Sequence, residues 1–129
     1  MIKKVLCVDD DMVTLAIFKR ILSKAQTIEK IETALNGQEA LDLLLNMQQH
    51  QITLPDIILL DLNMPVLDGW GFVEKFQREF QSNKSDLKIM IVTSSIDPED
   101  QNRAKQYDFI VDYVTKPFGV EFLGKLNQL

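Results

Sequence analysis

Four short apolar runs in this chain each break off at residues that can do chemistry. Val5-Leu6-Cys7-Val8 runs into Asp9-Asp10-Asp11, and Ile57-Ile58-Leu59-Leu60 runs into Asp61. Ile89-Met90-Ile91-Val92 runs into Thr93-Ser94-Ser95, and Tyr113-Val114-Thr115 runs into Lys116-Pro117. A short continuous apolar run closed by turn signals predicts a strand buried on both faces. Strands of that kind belong to parallel sheets covered by helices, because crossover connections place a helix over each face. A strand buried in this way has no packing use for a carboxylate at its tip. Asp61, with Asn63-Met64-Pro65 and Asp68-Gly69 behind it, is therefore the first candidate for function.

The segments between the strands carry helical signals. Strands are expected over residues 3–8, 29–34, 56–60, 88–92 and 112–115. The first helix is expected over 12–25, with Val13, Ile17, Ile21 and Ala25 on its apolar face and Asp10 or Asp11 as its cap. Asn36-Gly37 reads as a turn, and a second helix follows to about Gln48 on Ala40, Leu41, Leu44 and Met47. Phe72, Phe76 and Phe80 predict a third helix from Trp70 to Gln81. Asp97 as N-cap, Pro98 behind it, and Glu99 and Asp100 in the first turn start the fourth. Phe122, Leu123 and Leu126 carry a fifth from Gly119 to the end of the chain. The expected architecture is one α/β domain over residues 1–129, a doubly wound parallel sheet of five strands with five helices. In open sheets of this type ligands bind beyond the carboxyl ends of the strands, where the candidate residues cluster.

Composition narrows the functions. The 129 residues carry 46% hydrophobic residues, enough for one core, and 19 acids against 14 bases for a net charge of −5. That charge argues against a nucleic-acid surface and favours a cation as ligand. One cysteine, Cys7, excludes an internal disulfide, and no run reaches the roughly 20 apolar residues that span a bilayer. The opening residues leave no room for a signal peptide, so a cytoplasmic protein is expected.

Asp9, Asp10 and Asp61 can gather carboxylate oxygens in one cleft, and like charges that close need a compensating cation. Mg²⁺ suits them, since it takes oxygen ligands octahedrally and commonly binds one or two carboxylates together with a phosphate. Lys116 adds a second positive charge and Thr93 a hydroxyl donor. A carboxylate flanked by a metal, an amine and a hydroxyl is equipped for nucleophilic attack on phosphorus. Read singly, each residue has a plainer account. An Asp run after a strand is usually a cap, and Asp11 is read as one. Lys116 alone reads as a solvated surface lysine, Tyr113 as a half-buried strand aromatic, Trp70 as a helix-start packing residue or a partner contact, and His50 as an exposed loop residue.

In order along the chain, Val8-Asp9-Asp10-Asp11, Leu60-Asp61-Leu62-Asn63-Met64-Pro65-Val66-Leu67-Asp68-Gly69, Val92-Thr93-Ser94-Ser95 and Tyr113-Val114-Thr115-Lys116-Pro117-Phe118 resemble the receiver domain of bacterial two-component response regulators, including the chemotaxis response regulator. The resemblance covers essentially the whole chain. It implies a flavodoxin-like fold with strand order 2-1-3-4-5 and a stand-alone receiver. Asp61 would be the phosphoacceptor, and Asp9, Asp10, Asp61 and the Asn63 carbonyl would hold Mg²⁺. Thr93 and Lys116 would contact the phosphoryl oxygens, with Ser94 beside them. Thr93 and Tyr113 would form the switch, and Lys116-Pro117 would be a cis peptide. The implied partners are a histidine kinase or histidine phosphotransfer protein and a downstream protein target, with no nucleic acid and no membrane. Output would pass through a switched protein-binding surface or an onward phosphorelay. The chain departs from the family pattern at Tyr107-Asp108-Phe109-Ile110-Val111-Asp112, where Ala and Gly are usual. Two rivals stand beside this reading. A small phosphatase with an aspartyl nucleophile is disfavoured by Asn63, which stands where a second catalytic acid would be. A phosphorylation-independent adaptor is disfavoured by the complete residue set.

Overall fold

The structure, a computed structural model, describes residues 2–80 and 86–128. Strands and helices alternate in the order β1 (Lys4–Val8), α1 (Met12–Leu22), β2 (Lys30–Ala34), α2 (Gly37–Gln49), β3 (Ile57–Leu60), α3 (Gly69–Phe80), β4 (Lys88–Thr93), α4 (Pro98–Ala104), β5 (Ile110–Thr115) and α5 (Glu121–Asn127). All strand pairs are parallel, in the order β2-β1-β3-β4-β5. This is the doubly wound, flavodoxin-like sheet that was expected.

Side-chain alternation along the central strands divides the core in two. Leu6, Val8, Ile58, Leu60, Ile89 and Ile91 face one side, against α2 and α3. Val5, Cys7, Ile57, Leu59, Met90 and Val92 face the other, against α1 and α5. Every residue of β1 and β3 is buried, which explains their unbroken apolar composition. Lys4 is the exception in type. Its stem lies in the sheet, and its Nζ reaches out to donate to the Thr53 carbonyl at 2.6 Å.

Expectations for the first and last helices need correction. The buried face of α1 is Leu15, Phe18, Ile21 and Leu22, whereas Val13 and Ile17 are exposed. A strict four-residue spacing drifts around a helix of 3.6 residues per turn, and Phe18 buries the larger side chain. Phe18 stacks on Phe118 at 4.5 Å between ring centroids. The helix also ends at Leu22 and not Ala25, because the Lys24 and Ala25 N–H groups turn back to carbonyls three residues earlier. At the other end, α5 starts at Glu121 and not Gly119, whose N–H is taken by the Glu121 carboxylate at 2.9 Å. The expected ends of the third helix at Gln81 and of the fifth at Leu129 lie outside the described residues.

β5 begins two residues before the expected Asp112, and its pairing with β4 slips by one. Ile89 pairs with Ile110 while Met90 pairs with Asp112, leaving Val111 as the extra residue. The aromatic stretch that departs from the family pattern fills this corner. Phe109 packs edge-on to Phe76 at 5.2 Å, and Tyr107 stacks on Trp70 at 6.2 Å.

Candidate functional site

In this strand order the chain leaves β1 toward one edge for β2 and returns past it for β3. The crevice at that reversal opens above the carboxyl ends of β1 and β3. Asp9 and Asp61 sit there, each tied to the ladder by one further bond. The Asp61 N–H donates to the Val8 carbonyl at 3.0 Å, and the Asp9 N–H donates to the Ala34 carbonyl at 3.1 Å. On the far side, the Lys116 N–H donates to the Thr93 carbonyl at 2.8 Å. The sheet therefore sets the positions of these residues, and the loops only carry them.

The side chains converge. Lys116 Nζ lies 2.6 Å from Asp9 Oδ2 and 3.7 Å from Asp61 Oδ2, so one amine bridges two buried carboxylates. Asp9 is 1% exposed and Asp61 6%, while Asp10 is exposed at the rim. Burial pushes the Asp61 carboxyl above the usual carboxylate range, and the Asp9 charge pushes the same way. Lys116, the Thr93 hydroxyl and the Asn63 N–H oppose that shift without overcoming it. Asp11 is the α1 cap, accepting from the Val13 N–H at 2.9 Å and from the Thr14 hydroxyl. Those two bonds, led by the Val13 N–H, lower its carboxyl below the usual value.

Oxygens of Asp9, Asp10 and Asp61 all lie within 4.8 Å of one another. Octahedral Mg²⁺ places its ligand oxygens about 3 Å apart for neighbours and about 4 Å apart across the ion. The three hard oxygen donors fit that ion with small side-chain adjustment.

Gly69 explains the close fit of α3 to the site. A Cβ there would stand 2.5 Å from the Asp61 carbonyl and 2.7 Å from Leu62 Cα, so only glycine lets the helix start against the Asp61 backbone. Asp68 caps that helix, accepting from the Gly71 N–H at 2.8 Å. On the β4 side, Thr93 is fully buried, and its Oγ accepts weakly from the Ser95 N–H at 3.3 Å. Tyr113 is half-buried, with its hydroxyl donating to the Ser95 carbonyl at 2.9 Å. Burial raises its phenol above the ordinary value. The Lys116–Pro117 peptide is cis. Asn63 and Ser94 stand exposed at the rim, and His50 is exposed at the end of α2.

This is the residue set read from the sequence, at one edge of one sheet. The profile of the response regulator receiver domain matches residues 5–126. The chain belongs to the response regulator receiver domain family. Among relatives, the sensor histidine kinase CheAY of Helicobacter pylori is 34% identical over 119 residues, 92% of this chain but 14% of that protein. A probable C4-dicarboxylate response regulator, DctR of Bacillus subtilis, is 30% identical over 118 residues, 92% of this chain and 47% of that protein. The chain thus spans less than half the length of these relatives. A two component response regulator from Cytophaga hutchinsonii superposes with a TM-score of 0.88 at 31% identity, covering 98% of this chain and 95% of that one. The chemotaxis protein CheY4 of Vibrio cholerae superposes with a TM-score of 0.75 at 31% identity, covering 99% and 98%. Receiver domains are generally signalling modules and not enzymes, they generally bind Mg²⁺ at an acidic pocket, and they work with histidine kinases and downstream targets. Among the described residues no helix is long and apolar enough to cross a membrane.

Sequence reasoning missed one contact beside the receiver's site. The sequence reading takes Asp100 as a first-turn acid and Trp70 as a packing residue or a partner contact. In the structure the Trp70 indole N–H donates to Asp100 Oδ1 at 2.9 Å, and the Ser95 hydroxyl donates to Oδ2 of the same carboxylate at 2.6 Å. Thirty positions separate the partners, and no local pattern links them.

Proposed function

We propose that this receiver accepts a phosphoryl group on Asp61 from a phosphohistidine of a kinase or histidine phosphotransfer protein. The observation that carries the reading is the Lys116 amine bridging buried Asp9 and Asp61 at the sheet edge, with Thr93 aimed at the same carboxylate. In the transfer, an Asp61 carboxylate oxygen bonds to phosphorus as the phosphorus–nitrogen bond breaks, and the departing imidazole nitrogen takes a proton from solvent. The Lys116 ammonium offsets the charge of the phosphoryl oxygens, and the Thr93 hydroxyl and the Asn63 N–H donate hydrogen bonds to them. Asp9, Asp10, Asp61 and the Asn63 carbonyl would hold Mg²⁺, which supplies charge stabilisation for the transferring group.

The signal then passes through Thr93 and Tyr113 to the surface of α4, β5 and α5, which binds a downstream protein or hands the phosphoryl group on. A phosphoryl group shifts the two arrangements of that surface only by its differential affinity for them, and the Thr93 hydroxyl contact supplies the difference. The proposed setting is the cytoplasm.

Labelling with acetyl phosphate in Mg²⁺ tests the assignment. Asp61→Asn should abolish labelling while circular dichroism stays native, and labelling that persists on another aspartate defeats it. Nuclear magnetic resonance mapping with beryllofluoride tests the switch. Wild-type shifts should reach residues 97–118, and Thr93→Ala should confine them to the loops around Asp61. Wild-type shifts that never leave those loops, or the same spread in both proteins, defeat the switch.

A further inference from the structure

Ser95 is a three-way junction. Its N–H faces Thr93 Oγ at 3.3 Å, its carbonyl accepts from the Tyr113 hydroxyl at 2.9 Å, and its hydroxyl donates to Asp100 at 2.6 Å. Asp100 is held in turn by the Trp70 indole N–H at 2.9 Å. Trp70 is itself braced. The Arg103 guanidinium lies over its ring at 4.5 Å and is paired with Glu74 of α3 at 2.7 Å, and Tyr107 stacks on the ring at 6.2 Å. Trp70 follows Gly69, the residue wedged against the Asp61 backbone. One carboxylate on α4 therefore joins the start of α3, fixed to the Asp61 loop, to the β4–α4 loop that carries both switch contacts.

We infer that Trp70 and Asp100 are positioning residues for the phosphoryl site. Their hydrogen bond holds the β4–α4 loop where the Thr93 hydroxyl faces Asp61 and the Tyr113 hydroxyl is engaged. The inference rests on the reading of Asp61 as phosphoacceptor. An indole N–H on a carboxylate is a charge-assisted bond, and Asp100 and Trp70 are half-buried, so the bond survives competition from water in part. If the bond belongs to the arrangement that receives a phosphoryl oxygen, removing it lowers the population of that arrangement and weakens every ligand that selects it.

The test is a titration of the full chain with beryllofluoride in Mg²⁺, read by the Tyr113 ring and Ser95 amide resonances. Trp70→Phe removes the N–H along with part of the indole and keeps a smaller aromatic face for Tyr107 and Arg103. Asp100→Ala removes the acceptor, and Asp100→Asn keeps one. Trp70→Phe and Asp100→Ala should each weaken beryllofluoride binding about fivefold, less than the full worth of a hydrogen bond to a charged group because the site is half-open to water. The double variant should bind no more weakly than Asp100→Ala alone, since Asp100→Ala already breaks the Trp70 bond together with the one from Ser95. Asp100→Asn should stay within about twofold of wild type. The Tyr113 resonances of the weakened variants should sit displaced before any ligand is added, with native circular dichroism. Singles that bind like wild type, or a double variant whose losses multiply, overturn the inference while leaving the phosphoacceptor reading intact. A wild-type chain that does not bind beryllofluoride overturns that reading, and this one with it.

Discussion

Removing the amine of Lys116 should destabilise the metal-free protein strongly and the Mg²⁺-loaded protein little. The geometry sets the size. At an effective dielectric of about 20, charges at the 2.6 Å and 3.7 Å separations from Asp9 and Asp61 attract by roughly 6 and 4 kcal/mol before desolvation is subtracted. Much of that gross attraction is offset by bringing the amine out of water. What matters for Lys116→Met is the state left behind, two buried carboxylates and the Asp10 carboxylate with no cation among them. Stranding one member of a buried pair costs about 3–5 kcal/mol. Lys116 is 21% exposed at its side chain, so water replaces part of the lost contact, and about 3 kcal/mol is the expected loss. For a domain of this size that corresponds to a fall of about 10 °C in Tm. Mg²⁺ should restore most of it. With the amine gone the cluster is one charge more negative, and a cation present at 100 times its Kd adds about 2.7 kcal/mol to the native state. The assay is urea unfolding followed by circular dichroism at pH 7, in chelator and across a Mg²⁺ titration. A variant as stable as wild type in chelator refutes the electrostatic account of the cleft. A loss that Mg²⁺ leaves unchanged refutes the claim that amine and metal neutralise the same carboxylates.

The pH dependence of the metal-free protein follows from Asp61. Its carboxyl binds a proton more tightly folded than unfolded, first through burial and then through Asp9, so this contribution to stability is complete below the usual carboxylate range and is lost as pH rises through the raised value. Asp61→Asn should therefore be more stable than wild type in chelator at pH 7, by on the order of 1 kcal/mol, with the gap closing toward pH 4; a gap that widens on acidification contradicts the assignment. In the core, Phe18→Ala should cost about 3–5 kcal/mol and Ile17→Ala less than about 0.5, measured by urea unfolding, because the first side chain is 1% exposed and the second 43%.

The alternation of apolar strands with helical segments was enough to read the parallel sheet, because burial on both faces demands an unbroken apolar run and Val5–Val8, Ile57–Leu60 and Ile89–Val92 have one. The edge where function would gather was legible for the same reason. Asp9, Asp61, Thr93 and Lys116 each follow directly on, or close, such a run, and in a parallel sheet all those ends point one way. Caps were legible too, since Asp11 and Asp97 act through bonds two residues long. The faces of α1 were not. Its apolar residues outnumber those that one face can hold, and the choice between Ile17 and Phe18 was made by Phe118 and Phe122 on α5 and the segment before it, more than ninety residues away.

The same division runs through the site. Residue types and their order determined which groups would meet, because strand ends are local and the sheet aligns them. How they meet was decided only by the fold. That Asp9 is the carboxylate most deeply buried and takes the shorter contact from Lys116 depends on the register of β1, β3 and β5, which no single segment encodes. That Asp100 links Trp70 to Ser95 depends on α3 and α4 lying side by side. Short-range chemistry is written in neighbouring residues, whereas distances between groups thirty or a hundred positions apart exist only once the layers have packed.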